Sequence, residues 1–345
     1  MKTDRPITRR AVLSTTCAAT LTAMMSPVVT AKAEEDLGRP TVVWQQCVRR
    51  ALGRFPTGGG YHTGRDIPPG FQQTAWTGLD RAVRVRATGA CVDPRFATPS
   101  FCSSATYLLL LKSLELYERT CGITPPRQEW EYLKPYTVKN RSYPIQTDGV
   151  GAWGRANANG PGVAELVHEL KIGTNLYIGT ASEYENPWDR NEIFASVRRF
   201  DFMKIFWNDE IGKDERGHMV LVLGWSRHCD RFGRRAGTIR YWSSNGSQTD
   251  INGGYGIRCV CEDKIHRAVV TRVNRPWNLW NTDVMGPTDV CAPLAEIAAD
   301  RSMAPDEMRR LVDAKSYWPS RSEGSHGANE RCMSCLLYTS PSPRD

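Results

Sequence analysis

Apolar positions along this chain change their period near its middle. The first half carries helix-like runs. Thr41 to Leu52 reads as a short helix, and Gly53 to Gly70, with Gly58-Gly59-Gly60 at its centre, reads as a loop. Cys102 to Glu118 is the strongest helix of the chain. Leu108, Leu111, Leu114 and Leu116 leave few polar positions before its end, as expected for a buried central helix, and Ser100 is a plausible cap. Gly149 to Gly162 is a Gly/Asn loop before a short helix, Val163 to Lys171, that stops at Gly173. The second half alternates. Asp201 to Trp207, Met219 to Trp225, Thr238 to Trp242, Gly256 to Cys261 and Arg267 to Val273 read as five strands. Loops of Gly, Asn, Asp and Arg separate them, as in an antiparallel meander. Pro305 to Ala314 reads as a surface helix. Helices first and sheet second is an α+β order, with the Cys102 helix packed on the sheet. No internal repeat is evident.

Three residues in this pattern stand where cysteine chemistry needs them. Cys102 opens the buried helix, in Pro99-Ser100-Phe101-Cys102-Ser103-Ser104. A helix N-terminus stabilises a thiolate, the reactive form of a thiol. His218 opens the strand Gly217 to Gly224, where its ring can face the helix as a base. Asn245 follows the strand Thr238 to Trp242 and can orient the imidazole. Each has a plainer reading. Cys102 could be a structural thiol, His218 a core histidine and Asn245 a turn residue before Gly246, with Ser243 or Ser244 orienting the ring instead. His62, His168, His228 and His266 lie on loops or a short helix and are poorer bases. Trp153, Asn157 and Asn159, in the Gly/Asn loop, are candidates to line a substrate groove.

Length, charge and cysteines narrow the setting. The chain has 345 residues and a formal charge of +8. Half of that excess lies in residues 1–33, which carry Lys2, Arg5, Arg9, Arg10 and Lys32 against Asp4. No basic run stands out, so nucleic acid is not an expected partner. Thr8-Arg9-Arg10-Ala11-Val12-Leu13, a weakly apolar stretch and Ala31-Lys32-Ala33 look like a twin-arginine export signal with its cleavage site. The polar residues within that stretch argue against a membrane span. A periplasmic or secreted location is expected. Cys335 to Asp345 matches a translated transposase adapter, so residues 335–345 are expected to lie outside the fold, with 301–334 as a helical extension. Apart from Cys17, Cys102 and Cys335, eight cysteines remain: Cys47, Cys91, Cys121, Cys229, Cys259, Cys261, Cys291 and Cys332. In an exported protein they allow up to four disulfides. Their spacing fits no zinc pair, and neither metal nor cofactor is expected.

The order Cys102, His218, Asn245 resembles the papain-like cysteine peptidase superfamily. Cys102-Ser103-Ser104 before an apolar helix is similar to the start of NlpC-type and CHAP-type bacterial cell-wall hydrolases. Tyr241-Trp242-Ser243-Ser244-Asn245-Gly246 and Gly253-Gly254-Tyr255-Gly256-Ile257 resemble the Asn strand and the Gly-Tyr strand that follows it. The similarity spans roughly residues 95–275, within a domain of 34–300. It implies a thiolate that cleaves amide bonds of peptidoglycan peptides, with the Cys102 backbone N–H stabilising the oxyanion. Papain-type proteases carry Gln six residues before the nucleophile, where this chain has Phe96, so the second oxyanion donor has no counterpart in the motif. A non-catalytic, disulfide-stabilised envelope binding protein and a transpeptidase or transglutaminase fit the same residues.

Overall fold

The computed structural model describes residues 38–123, 127–135, 139–140, 143–146, 151–156, 162–209, 216–229 and 235–280. The chain divides into two units, Met1–Pro40 and Thr41–Asp345. Of the first, only residues 38–40 are described. The export signal, the Pro305 to Ala314 helix and residues 335–345 lie outside the described residues.

The first half is helical. α1 spans Gly38–Leu52, α2 Ala75–Ala82, α3 Cys102–Cys121, α4 Arg127–Leu133, α5 Gly151–Ala156 and α6 Val163–Glu169. Between them lie strand β1, Gly58–His62, and two short hairpins, β2 (Val83–Val85) with β3 (Ala90–Val92) and β4 (Lys139–Asn140) with β5 (Tyr143–Gln146). The second half supplies β6 (Gly173–Ile178), α7 (Pro187–Ser196), β7 (Phe202–Phe206), β8 (Gly217–Cys229), β9 (Arg235–Asn245), β10 (Thr249–Cys261) and β11 (Arg267–Val273). Seven strands form one antiparallel sheet in the order β1-β10-β9-β8-β7-β11-β6. The α+β order is therefore present.

The sheet buries both faces, and the two-residue alternation of its strands divides the side chains between two cores. Phe202, Met219, Leu221, Trp242, Tyr255 and Val273 join the core built around α3. Met203, Ile205, Val220, Val222, Tyr241, Ala268 and Val270 join a smaller core with Phe194 and Val197. α3 lies in the larger core, with Leu108 to Leu111 and Leu114 fully buried. It runs three residues past the predicted end and stops at Gly122, whose φ of 66° is a left-handed conformation that glycine adopts without strain.

The N-terminal cap differs from expectation. Phe101, not Ser100, is the cap residue. Ser104 Oγ accepts the Phe101 N–H at 3.0 Å and donates to Phe101 O at 2.8 Å. The Ser100 hydroxyl donates instead to Ser244 Oγ at 2.8 Å, tying the helix entry to β9. The expected loop around Gly58-Gly59-Gly60 is also corrected, because these glycines open β1. Gly59 pairs with Gly254 of β10. A Cβ at Gly254 would lie 2.2 Å from Gly58 O, so this pairing needs glycine.

Candidate active site

The segment before Cys102 is held from several sides, and this fixes where the thiol emerges. Gln73 Nε2 donates to Phe96 O at 2.7 Å and to Thr98 O at 2.9 Å. The Tyr255 hydroxyl donates to Ala97 O at 2.7 Å. Ser100 N donates to Gly60 O at 3.1 Å, and His62 N donates to Ser100 O at 3.0 Å. β1, β10 and the residues ahead of α2 thus clamp residues 96–100. Cys102 follows as the first residue of α3, half-buried.

His218 is the second residue of β8, paired with Ile205 of β7. Its Nε2 lies 3.2 Å from Asn245 Oδ1, at the end of β9. Asn245 has no freedom to turn. Its Nδ2 donates to Ser243 O and to Gly256 O, both at 3.0 Å. Two carbonyls require the NH2 end there, so Oδ1 faces the imidazole and accepts from Nε2–H. This selects the tautomer that leaves Nδ1 as the ring's acceptor for the Cys102 thiol. Tyr241 meets the ring edge-on, with centroids 5.7 Å apart. Ser243 and Ser244 do not orient the ring. Ser243 Oγ donates to Met219 O at 2.6 Å, and Ser244 Oγ accepts from Ser100.

The thiol's environment sets two effects against each other. Burial alone would push Cys102 up. A hydrogen bond to His218, the charge of His218, the Met219 N–H and the charge of Lys204 outweigh it and bring the thiol from 9.0 down to about 6. A thiolate is then the main form at neutral pH. Lys204 carries no local sequence signal for this role. The β7–β8 register places it opposite Met219, the residue after His218, and it is 9% exposed. The N–H groups of the first turn of α3, Cys102 and Ser103 among them, have no partner within the helix. Gln73 does not supply a second donor, since its Nε2 is committed to Phe96 O and Thr98 O.

The remaining candidates lie elsewhere. Trp153 is corrected: it is fully buried, with its ring centroid 5.9 Å from Trp76, 6.2 Å from Phe101 and 5.2 Å from Tyr107. It packs beneath the start of α3 and lines no groove. Asn157 and Asn159 lie outside the described residues. His62 is buried between Thr249 Oγ1 and Asp66 Oδ1, at 2.9 and 3.1 Å. His266 pairs with Asp209, and His168 is exposed on α6. No disulfide joins Cys47, Cys91, Cys102, Cys121, Cys259 and Cys261. Cys291 and Cys332 lie outside the described residues. Among the described residues no helix is long and apolar enough to cross a membrane. Comparison with family models, curated proteins and solved structures gives no match to this chain.

Proposed function

We propose that this protein is a cysteine hydrolase of amide bonds on a papain-like frame. One observation carries the reading: His218, held by Asn245 at 3.2 Å, acts together with Met219 N–H and Lys204 on the Cys102 thiol and lowers it to about 6. In the proposed reaction the Cys102 thiolate attacks the amide carbonyl and His218 holds the thiol proton. Backbone N–H groups at the start of α3 stabilise the tetrahedral oxyanion. His218 Nδ1–H protonates the departing amine as the C–N bond breaks, leaving a thioester on Cys102. Water, deprotonated by His218, then attacks the thioester. A carboxylic acid leaves and the thiol is restored. Asn245 holds the ring through Nε2–H and touches no reacting atom.

The proposed substrate is peptidoglycan, at its peptide bonds or at their link to muramic acid. The likeness of Cys102-Ser103-Ser104 to cell-wall hydrolases and the export-type N-terminus support this choice. The same reading places the protein in the periplasm or outside the cell. The test is muropeptide digestion by the wild-type chain and by Cys102→Ala, with new amino and carboxyl termini counted. Wild type should release both and Cys102→Ala neither, at unchanged melting temperature. Equal cleavage by Cys102→Ala overturns the reading.

A further inference from the structure

One helix away from Cys102 is a cleft that the reaction above does not use. It has a volume of about 590 Å³. α2 forms part of its wall. That helix turns Trp76 inward, 4.9 Å from the ring of Phe101, and presents Arg81 to the cleft. Arg84 of β2 lines it too, as do Arg127 and Glu131 of α4, Lys134 beyond α4 and Asp80. Four cations therefore meet two carboxylates.

Both carboxylates are engaged by the cations of the α4 side. Arg127 pairs with Glu131 at 3.0 Å and Lys134 with Asp80 at 3.7 Å. The other two cations gather on one ring. The Arg81 and Arg84 guanidinium carbons lie 5.5 and 5.1 Å from the Phe96 centroid. Arg81 Nη1 donates to a neutral amide, Gln73 Oε1, at 2.8 Å. Arg84 has no carboxylate partner among the described residues. Two guanidiniums that line one cleft beside the same ring repel each other, and a multivalent anion bound in that cleft offsets the cost. Their planar N–H forks suit tetrahedral oxygens. A phosphoryl group carries a charge of about −1.5 to −2 at neutral pH, which fits the excess of two cations.

We propose that this cleft is a binding site for a phosphoryl group, held by Arg84 and Arg81 beside the Phe96 ring. The proposal does not depend on Cys102 acting as a nucleophile. Phe96 links the two regions, because Gln73 clamps its carbonyl in the segment leading to Cys102 while Arg81 grips Gln73.

Thermal unfolding of the full-length chain tests it, with inorganic phosphate, glycerol 1-phosphate or succinate titrated at constant ionic strength against chloride. Both phosphates should raise the melting temperature saturably. Tighter binding of glycerol 1-phosphate would indicate an organic phosphoester, and equal binding free phosphate; each supports the site. Arg84→Gln should weaken the response by about tenfold or more, since a charge-assisted contact is lost. Arg54→Gln, which is not part of the cleft lining, should leave it unchanged. Arg84→Lys keeps the charge without the fork and should also weaken binding, which covers a Gln variant that fails to fold. No response beyond chloride, a response that survives both Arg84 variants, or one at least as strong to succinate overturns the proposal.

Discussion

The two ends of α3 bury ionisable groups with opposite results. At its start Cys102 is lowered to about 6, and near its end Glu118 is raised from 4.5 to about 8. Burial pushes both groups up. At Cys102 an imidazole, a backbone N–H and a lysine overcome it. At Glu118 the hydrogen-bond donor is the neutral indole of Trp130, with Trp280 nearby, while Glu115 adds like charge. Arg119, the nearest cation, is drawn to Glu115 at 2.6 Å. Lys112 Nζ is likewise held by Glu115, at 2.6 Å, and by Val92 O. Burial therefore does not decide whether a group becomes reactive or merely protonated. The decision rests on which neighbours are cationic and unspent.

Removing the donors at the first end should make it behave like the second. His218→Ala is the strongest such change. Activity should fall about 10²- to 10⁴-fold, the range for loss of a general acid–base group. With the two largest opposing contributions gone and only Met219 N–H and Lys204 left against burial, the thiol should titrate well above 6. Thiolate ultraviolet absorbance against pH reads this directly. A midpoint still near 6 in His218→Ala would show that the helix terminus and Lys204 suffice. Asn245→Ala should cost less, because it frees the ring without removing it. Its signature is a fall in turnover with little change in substrate affinity, since Asn245 touches no substrate in the proposed reaction.

Lys204→Met should have a smaller effect, moving the midpoint of pH-dependent alkylation of Cys102 upward from about 6 while the fold persists. An unmoved midpoint would remove Lys204 from the site. The mildest test concerns the other end. Glu118 has a folded value above its unfolded one, so its contribution to stability is complete below about 4.5 and is lost as pH rises through about 8. Glu118→Gln mimics the protonated carboxyl. Its melting temperature should decline less than that of wild type between about pH 5 and pH 8. Equal slopes would mean that Glu118 is not the titrating group.

The sequence was informative where chemistry and local pattern coincide. Cys102 at a helix start, His218 at a strand start and Asn245 at a strand end are each visible within about ten residues of chain. What depends on pairing was hidden. β1 reads as a loop because its glycines carry no strand propensity. It becomes a strand only against β10, where His62 meets Thr249 across 187 residues. Lys204 is one lysine in an apolar run until register sets it opposite Met219. Trp153 misled because an aromatic in a Gly/Asn stretch suggests an exposed loop, whereas its ring fills the space under Phe101. Of the eight cysteines whose even count allowed disulfides, Cys47, Cys91, Cys121, Cys259 and Cys261 are in none, since an even count says nothing about whether Cβ atoms meet.

Asn245 is held by carbonyls of two neighbouring strands, and its partner imidazole comes from a third region 27 residues earlier. The contacts that lower the Cys102 thiol therefore exist only once these strands have paired. A chain still assembling its hairpins carries a sulfur with the sluggish acidity of a free cysteine, safe from stray electrophiles and from premature cross-linking. Sensitivity to an alkylating reagent at mild acidity should thus appear in step with final closure of the β-layer, and reports that closure from a single sulfur.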